Sequence, residues 1–200
     1  MKNIKIPRMT SAARLADLAQ RGIGSADWYE QAAVEIADAA QRLTAELGRT
    51  ISPKYLGDIL AITSPRVAVR RNIRLALQYI RSGTIPSGIL PTVAIALRRY
   101  EQTGIVRGVK VGPFSKAILG NPQAIVLDVW MSRALGVDQP KLSGLAVHRR
   151  ASSRVATAAR ILNDRLGTDH QPAAVQAMIW ATVVTDAGRA VARFNVTDHL

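Results

Sequence analysis

Two hundred residues are ample for one hydrophobic core or a compact pair of helical lobes, and 27 Lys and Arg against 14 Asp and Glu leave a net charge of +13. Such a balance favours a polyanionic partner, nucleic acid above all, although basic ribosomal and membrane-surface proteins share it. The chain has no cysteine, which excludes disulfides and a cysteine-ligated iron–sulfur cluster.

Three further absences set expectations. His148, His170 and His199 are too scattered to read as metal ligands. No run of about eighteen apolar residues occurs, and Met1 to Met9 lack the apolar core of a signal peptide. We expect an intracellular monomer, off the membrane, with neither metal nor cofactor.

In chain order the apolar periodicity is helical almost throughout, which predicts an all-α fold. Thr10 or Ser11 caps a first helix ending at Gly22. Ser25 caps a second through Trp28, Ala32, Ile36, Ala39 and Leu43, stopping before Gly48. Pro53 suits the first turn of a third, through Tyr55, Ile59 and Ile62, which Thr63-Ser64-Pro65 breaks.

The following helix has two faces. Val69, Ile73, Ala76, Leu77 and Ile80 form an apolar stripe, while Arg66, Arg70 and Arg74 line another side at i, i+4 and i+8. Arg71 and Arg81 lie nearby, with no acidic residue between Arg66 and Arg81. Ser82 to Gly88 reads as a loop and Leu90 to Gln102 as a helix closing at Gly104. Helices from about Ser143 to Leu166 and from about Pro172 to Ala187 complete the pattern, the former with a second basic patch at Arg149, Arg150 and Arg154. Neither an internal repeat nor a pair of strands is recognisable.

The stretch from Gly104 to Leu135 carries the most information. A helix opened by Lys110 and running to about Leu119 rises about 15 Å, and Gly120-Asn121-Pro122 stops it. The apolar run from Gln123 to Asp128 then covers about 16 Å if extended. The two lengths match, so the return path can bring Asp128 back beside Lys110.

These residues resemble a known family. Gly108-Val-Lys110-Val, a helix, Asn121-Pro-Gln-Ala-Ile-Val-Leu-Asp128 and Val129-Trp-Met-Ser-Arg133 are similar to the catalytic segment of the helix-hairpin-helix DNA glycosylases, nearest the 8-oxoguanine branch. Pro172-Ala-Ala-Val-Gln176-Ala-Met-Ile-Trp180 resembles that branch's late helix, whose glutamine and aromatic residue bind and stack the extruded base. Spacing of i and i+4 puts Gln176 and Trp180 on one face. Two positions depart from the family: Trp130 stands where it has histidine, and Val106 where it has the farther hairpin glycine.

The resemblance implies a single glycosylase domain over 1–200: a helical scaffold at 1–60, a wedge, hairpin and catalytic segment at 61–136, and a base-pocket segment at 137–200. Asp128 would stabilise positive charge at the deoxyribose C1′, and Lys110 would attack that carbon and lead to a Schiff base and strand cleavage. Gln176, Trp180 and Trp130 would line the base pocket. Ser64, Pro65 and Arg66 would wedge into the duplex where the base has left, with Arg70, Arg74, Arg107 and Gly108 on phosphates. The implied partner is double-stranded DNA with a modified base, either an oxidised purine such as 8-oxoguanine or a bulky phage-type cytosine. A non-catalytic DNA-binding protein of the same fold, and a basic RNA- or ribosome-associated protein, are the alternatives.

Overall fold

The computed structural model describes residues 8–200, and among them the chain forms ten α-helices and no strand. These are α1 Ala12–Arg21, α2 Trp28–Leu47, α3 Pro53–Thr63, α4 Val69–Ser82, α5 Pro91–Thr103, α6 Val111–Ile118, α7 Val129–Leu135, α8 Gln139–Leu142, α9 Leu145–Leu166 and α10 Pro172–Asp186. The protein is all-α. Met1 to Pro7, the greater part of the segment read for a signal peptide, lie outside the described residues. The chain divides into two compact units, the first holding the residues up to Asp27 and Pro122–Val191, the second Trp28–Asn121 and Ala192–Leu200.

In the first unit α10 is apolar on nearly every side, with Val175, Ala177, Met178, Ile179, Ala181 and Val184 buried, the pattern of a helix enclosed by others. Helices α1, α7 and α9 pack on it. From α9 come Val147, Ala151, Val155, Ala158 and Leu162, a stripe at three- and four-residue spacing. A Cβ on Gly22 would sit 2.1 Å from the Met178 carbonyl oxygen, so only glycine permits α1 to end this close to α10. The Thr182 hydroxyl donates to the Leu18 carbonyl there at 2.8 Å. Asn163 closes the turn from α9 to α10, donating to the His170 carbonyl at 3.0 Å and accepting from its N–H at 2.9 Å.

In the second unit α3 is the buried centre, every residue from Leu56 to Thr63 being buried. Helices α2, α4, α5 and α6 pack around it. Each fully buried Leu or Ile of this layer contributes about 1.5–3 kcal/mol. Buried polar groups tie the layer together: Asn72 of α4 donates to the Leu60 carbonyl at 2.9 Å, and the Thr63 hydroxyl meets Asn72 Oδ1 at 2.6 Å. The chain end is anchored by Phe194, which packs edge-on against Trp28 and Phe114. Thr197 adds hydrogen bonds from its N–H and hydroxyl to Glu35 at 3.1 and 2.7 Å.

Several sequence expectations need correction. Ser25 does not cap α2; it ends a 3₁₀ turn, Ile23–Ser25, and α2 starts at Trp28. Arg66 does not continue the Arg70 and Arg74 row, because α4 begins only at Val69 after the extended cap Ala68. Ser64 terminates α3 through the Ala61 carbonyl, and Arg66 has φ 61°, left-handed geometry that interrupts the helix. Arg81 is not without a counter-charge, since Glu46 of α2 grips it with two bonds of 2.7 and 2.9 Å. The ninth helix opens at Leu145 on Gly144 rather than at Ser143, because α8 and its cap occupy the preceding residues.

Candidate functional site

The hairpin in the second unit is built from local signals. Helix α5 closes on Gly104 in the left-handed conformation, its N–H bonding the Tyr100 carbonyl. The chain then runs through Ile105, Val106 and Arg107 to Gly108, whose φ of 115° is open to glycine alone. The Gly108 carbonyl accepts from the Gly112 N–H at 3.1 Å, and Lys110 is the N-cap residue of α6, half-buried. Arg107 and Val109 are exposed on the loop.

One carboxylate braces both helices of this hairpin. Asp58 of α3 is 2 % exposed. It accepts from the Tyr100 hydroxyl of α5 at 2.8 Å, from the Ser115 hydroxyl of α6, and from Lys54 at 2.5 Å. Burial first, and then the bond to Asp58, hold the Tyr100 phenol above its ordinary range. Sequence reading missed Asp58. Its signal was an acid alone among the apolar residues of α3, from Leu56 to Ile62.

The other second-unit residues lie on α4 and the turn before it. Arg70 and Arg74 are exposed and form no ion pair among the described residues. Pro65 and Arg66 border a pocket of about 110 Å³ whose lining includes Val67, Arg71, Ile89 and Val93. Arg71 is held there by the Gly88 carbonyl at 3.3 Å.

Asp128, Trp130, Gln176 and Trp180 belong to the first unit. The run from Ala124 to Leu127 is buried, as its apolar character predicts; it is non-helical and joins no sheet among the described residues. Asp128 is the N-cap of α7, and its Oδ1 accepts from the Trp130 and Met131 N–H groups at 3.0 and 2.9 Å. That cap fixes the carboxyl against the positive end of a helix. Gln176 is 2 % exposed, and its Oε1 accepts from the Val126 N–H at 3.4 Å, so the amide supports that run. Trp180 is half-buried and packs against the first unit's core. Trp130 is also half-buried and carries the guanidinium of Arg133 at 4.3 Å from its ring centroid and that of Arg189 at 5.3 Å.

Among the described residues no group of three or more His, Cys, Asp or Glu could hold a metal ion, and no helix is long and apolar enough to cross a membrane. The described residues define an all-α protein in whose second unit Asp58 braces α5 and α6 on either side of a glycine-containing loop. The chain belongs to the family of unknown function DUF7178, whose model matches residues 5–187. No curated protein and no solved structure matches it.

Proposed function

We propose that the protein is a DNA glycosylase that extrudes a modified base and breaks its N-glycosidic bond. The observation that carries this reading is the hairpin: α5 closing on Gly104, Gly108 at φ 115°, and Lys110 as the cap of α6, with Asp58 bonded to both helices. It sets exposed backbone and Arg107 beside a lysine, the arrangement a DNA phosphate next to a reacting sugar needs. Asp128 supplies negative charge that lowers the barrier to a C1′ cation. Lys110 Nζ forms the new bond to C1′ as the C1′–N bond breaks, and the base leaves with the electron pair and takes up a proton. Opening of the sugar ring gives a Schiff base, and loss of a C2′ proton then expels the 3′ phosphate.

The wedge reading of Ser64, Pro65 and Arg66 draws support from Arg66, an exposed arginine in a strained conformation at the rim of a pocket. The expected substrate is duplex DNA with an oxidised purine or a bulky modified cytosine, with the half-buried Trp180 of α10 as the residue expected to stack on the base. The protein would act as a monomer inside the cell.

The burial of Gln176 favours a second reading, a DNA-binding protein that has kept the fold without the chemistry. Duplexes carrying 8-oxoguanine, uracil, hydroxymethylcytosine or glucosylated hydroxymethylcytosine separate the two. The enzyme reading expects free base from at least one duplex and a borohydride-trapped adduct that disappears in Lys110→Gln. Tight, salt-dependent binding with no base released from any of them supports the second reading.

A further inference from the structure

Trp130 holds two cations on a single ring. Arg133 comes from one turn further along α7, and Arg189 from the segment after α10. Because both distances, 4.3 and 5.3 Å, are measured to the same centroid, the two guanidinium carbons lie within their sum of each other. That bound is comparable to the roughly 8–10 Å over which salt screens charge at physiological strength, so the two positive charges belong to one local field. Both are exposed, and neither forms an ion pair among the described residues. The indole supports both cations, and a phosphate within reach of their N–H groups would supply the counter-charge.

Stacking also fixes orientation. A guanidinium lying on an aromatic ring keeps its planar fork of N–H donors at the edge, the geometry that suits a phosphate's two oxygens. Trp130, half-buried on α7, is a firm support for it.

We propose that Arg133, Trp130 and Arg189 form a clamp for a backbone phosphate of duplex DNA, next to the nucleotide on which Asp128 acts. The inference rests on the glycosylase reading and changes one assignment within it. Trp130 serves as a platform for two arginines rather than as a stacking surface for the base.

The test is the salt dependence of duplex binding, followed by anisotropy of a labelled duplex, for wild type, Arg133→Gln, Arg189→Gln and the control Arg160→Gln. Taking one arginine off the shared phosphate should reduce the slope of log K against log salt by up to about 0.9. The clamp predicts that reduction in both Arg133→Gln and Arg189→Gln, with melting temperatures unchanged. Arg160→Gln, exposed on α9 and outside the clamp, should retain the wild-type slope. Trp130→Ala, with both charges intact, should weaken binding because the guanidiniums lose their support. Wild-type slopes in both arginine variants, beside wild-type base release, would overturn the clamp alone. A slope reduction seen with duplex RNA but not with DNA would overturn its assignment to DNA. Failure of the wild type to bind any duplex would overturn the clamp together with the glycosylase reading.

Discussion

At the scale of single residues, Asp58 links stability to the hairpin. Removing its carboxylate leaves the buried hydroxyl of Ser115 and that of Tyr100 without an acceptor, at about 1–3 kcal/mol each. Asp58→Ala is expected to lower unfolding free energy in urea by about 2–4 kcal/mol; a drop under about 0.5 kcal/mol would show that the bonds matter little. The tyrosines give a pH signature. Burial, and then the neighbouring Glu101 carboxylate, push the Tyr79 phenol up to about 12, and the same two causes raise Tyr55. Tyr79 and Tyr55 both donate to Glu101 Oε1, at 3.1 and 3.0 Å. The folded values are raised, so this stabilisation is complete below the unfolded value of about 10 and is lost as pH climbs from there through the folded values. Absorbance at 295 nm should therefore show Tyr55, Tyr79 and Tyr100 ionising well above pH 10 and together with loss of helicity. Ionisation near pH 10 in a folded protein would contradict this.

Among the elements, the α3–α4 turn separates what was legible from what was not. Helix ends governed by neighbouring residues read correctly: Ser11 caps α1, Pro53 opens α3, and Gly104 closes α5. The turn itself did not, because nothing in Ser64-Pro65-Arg66 signals a left-handed arginine. Its conformation depends on how α3 ends and where α4 docks. An arginine at φ 61° is strained by about 1 kcal/mol and glycine is not. Arg66→Gly is thus expected to raise stability by about 0.5–1 kcal/mol while weakening binding to DNA. A variant both more stable and equally tight would show that the strained arginine has no part in binding.

Across the whole molecule, the all-α class followed directly from periodicity, and Lys110 and Asp128 were each found at the start of a helix, as caps of α6 and α7. What sequence left hidden depends on neighbours distant in the chain. Nothing near Trp130 points to Arg189, nothing near Asp58 points to Ser115, and the i, i+4 spacing of Gln176 and Trp180 does not reveal that α10 is enclosed by α1, α7 and α9. The net charge of +13 supports affinity for polyanions but not chemistry. Chemistry is tested most directly at Asp128, where Asn preserves the cap of α7 because its amide oxygen still accepts from Trp130 and Met131. The decisive measurement is free base released from modified duplexes, read by mass spectrometry, for wild type and Asp128→Asn at equal folded concentration. The glycosylase reading predicts release by the wild type from an 8-oxoguanine or modified-cytosine duplex and a reduction of at least about a hundredfold in the variant. Equal release by both proteins, or none from any duplex by the wild type, would contradict it.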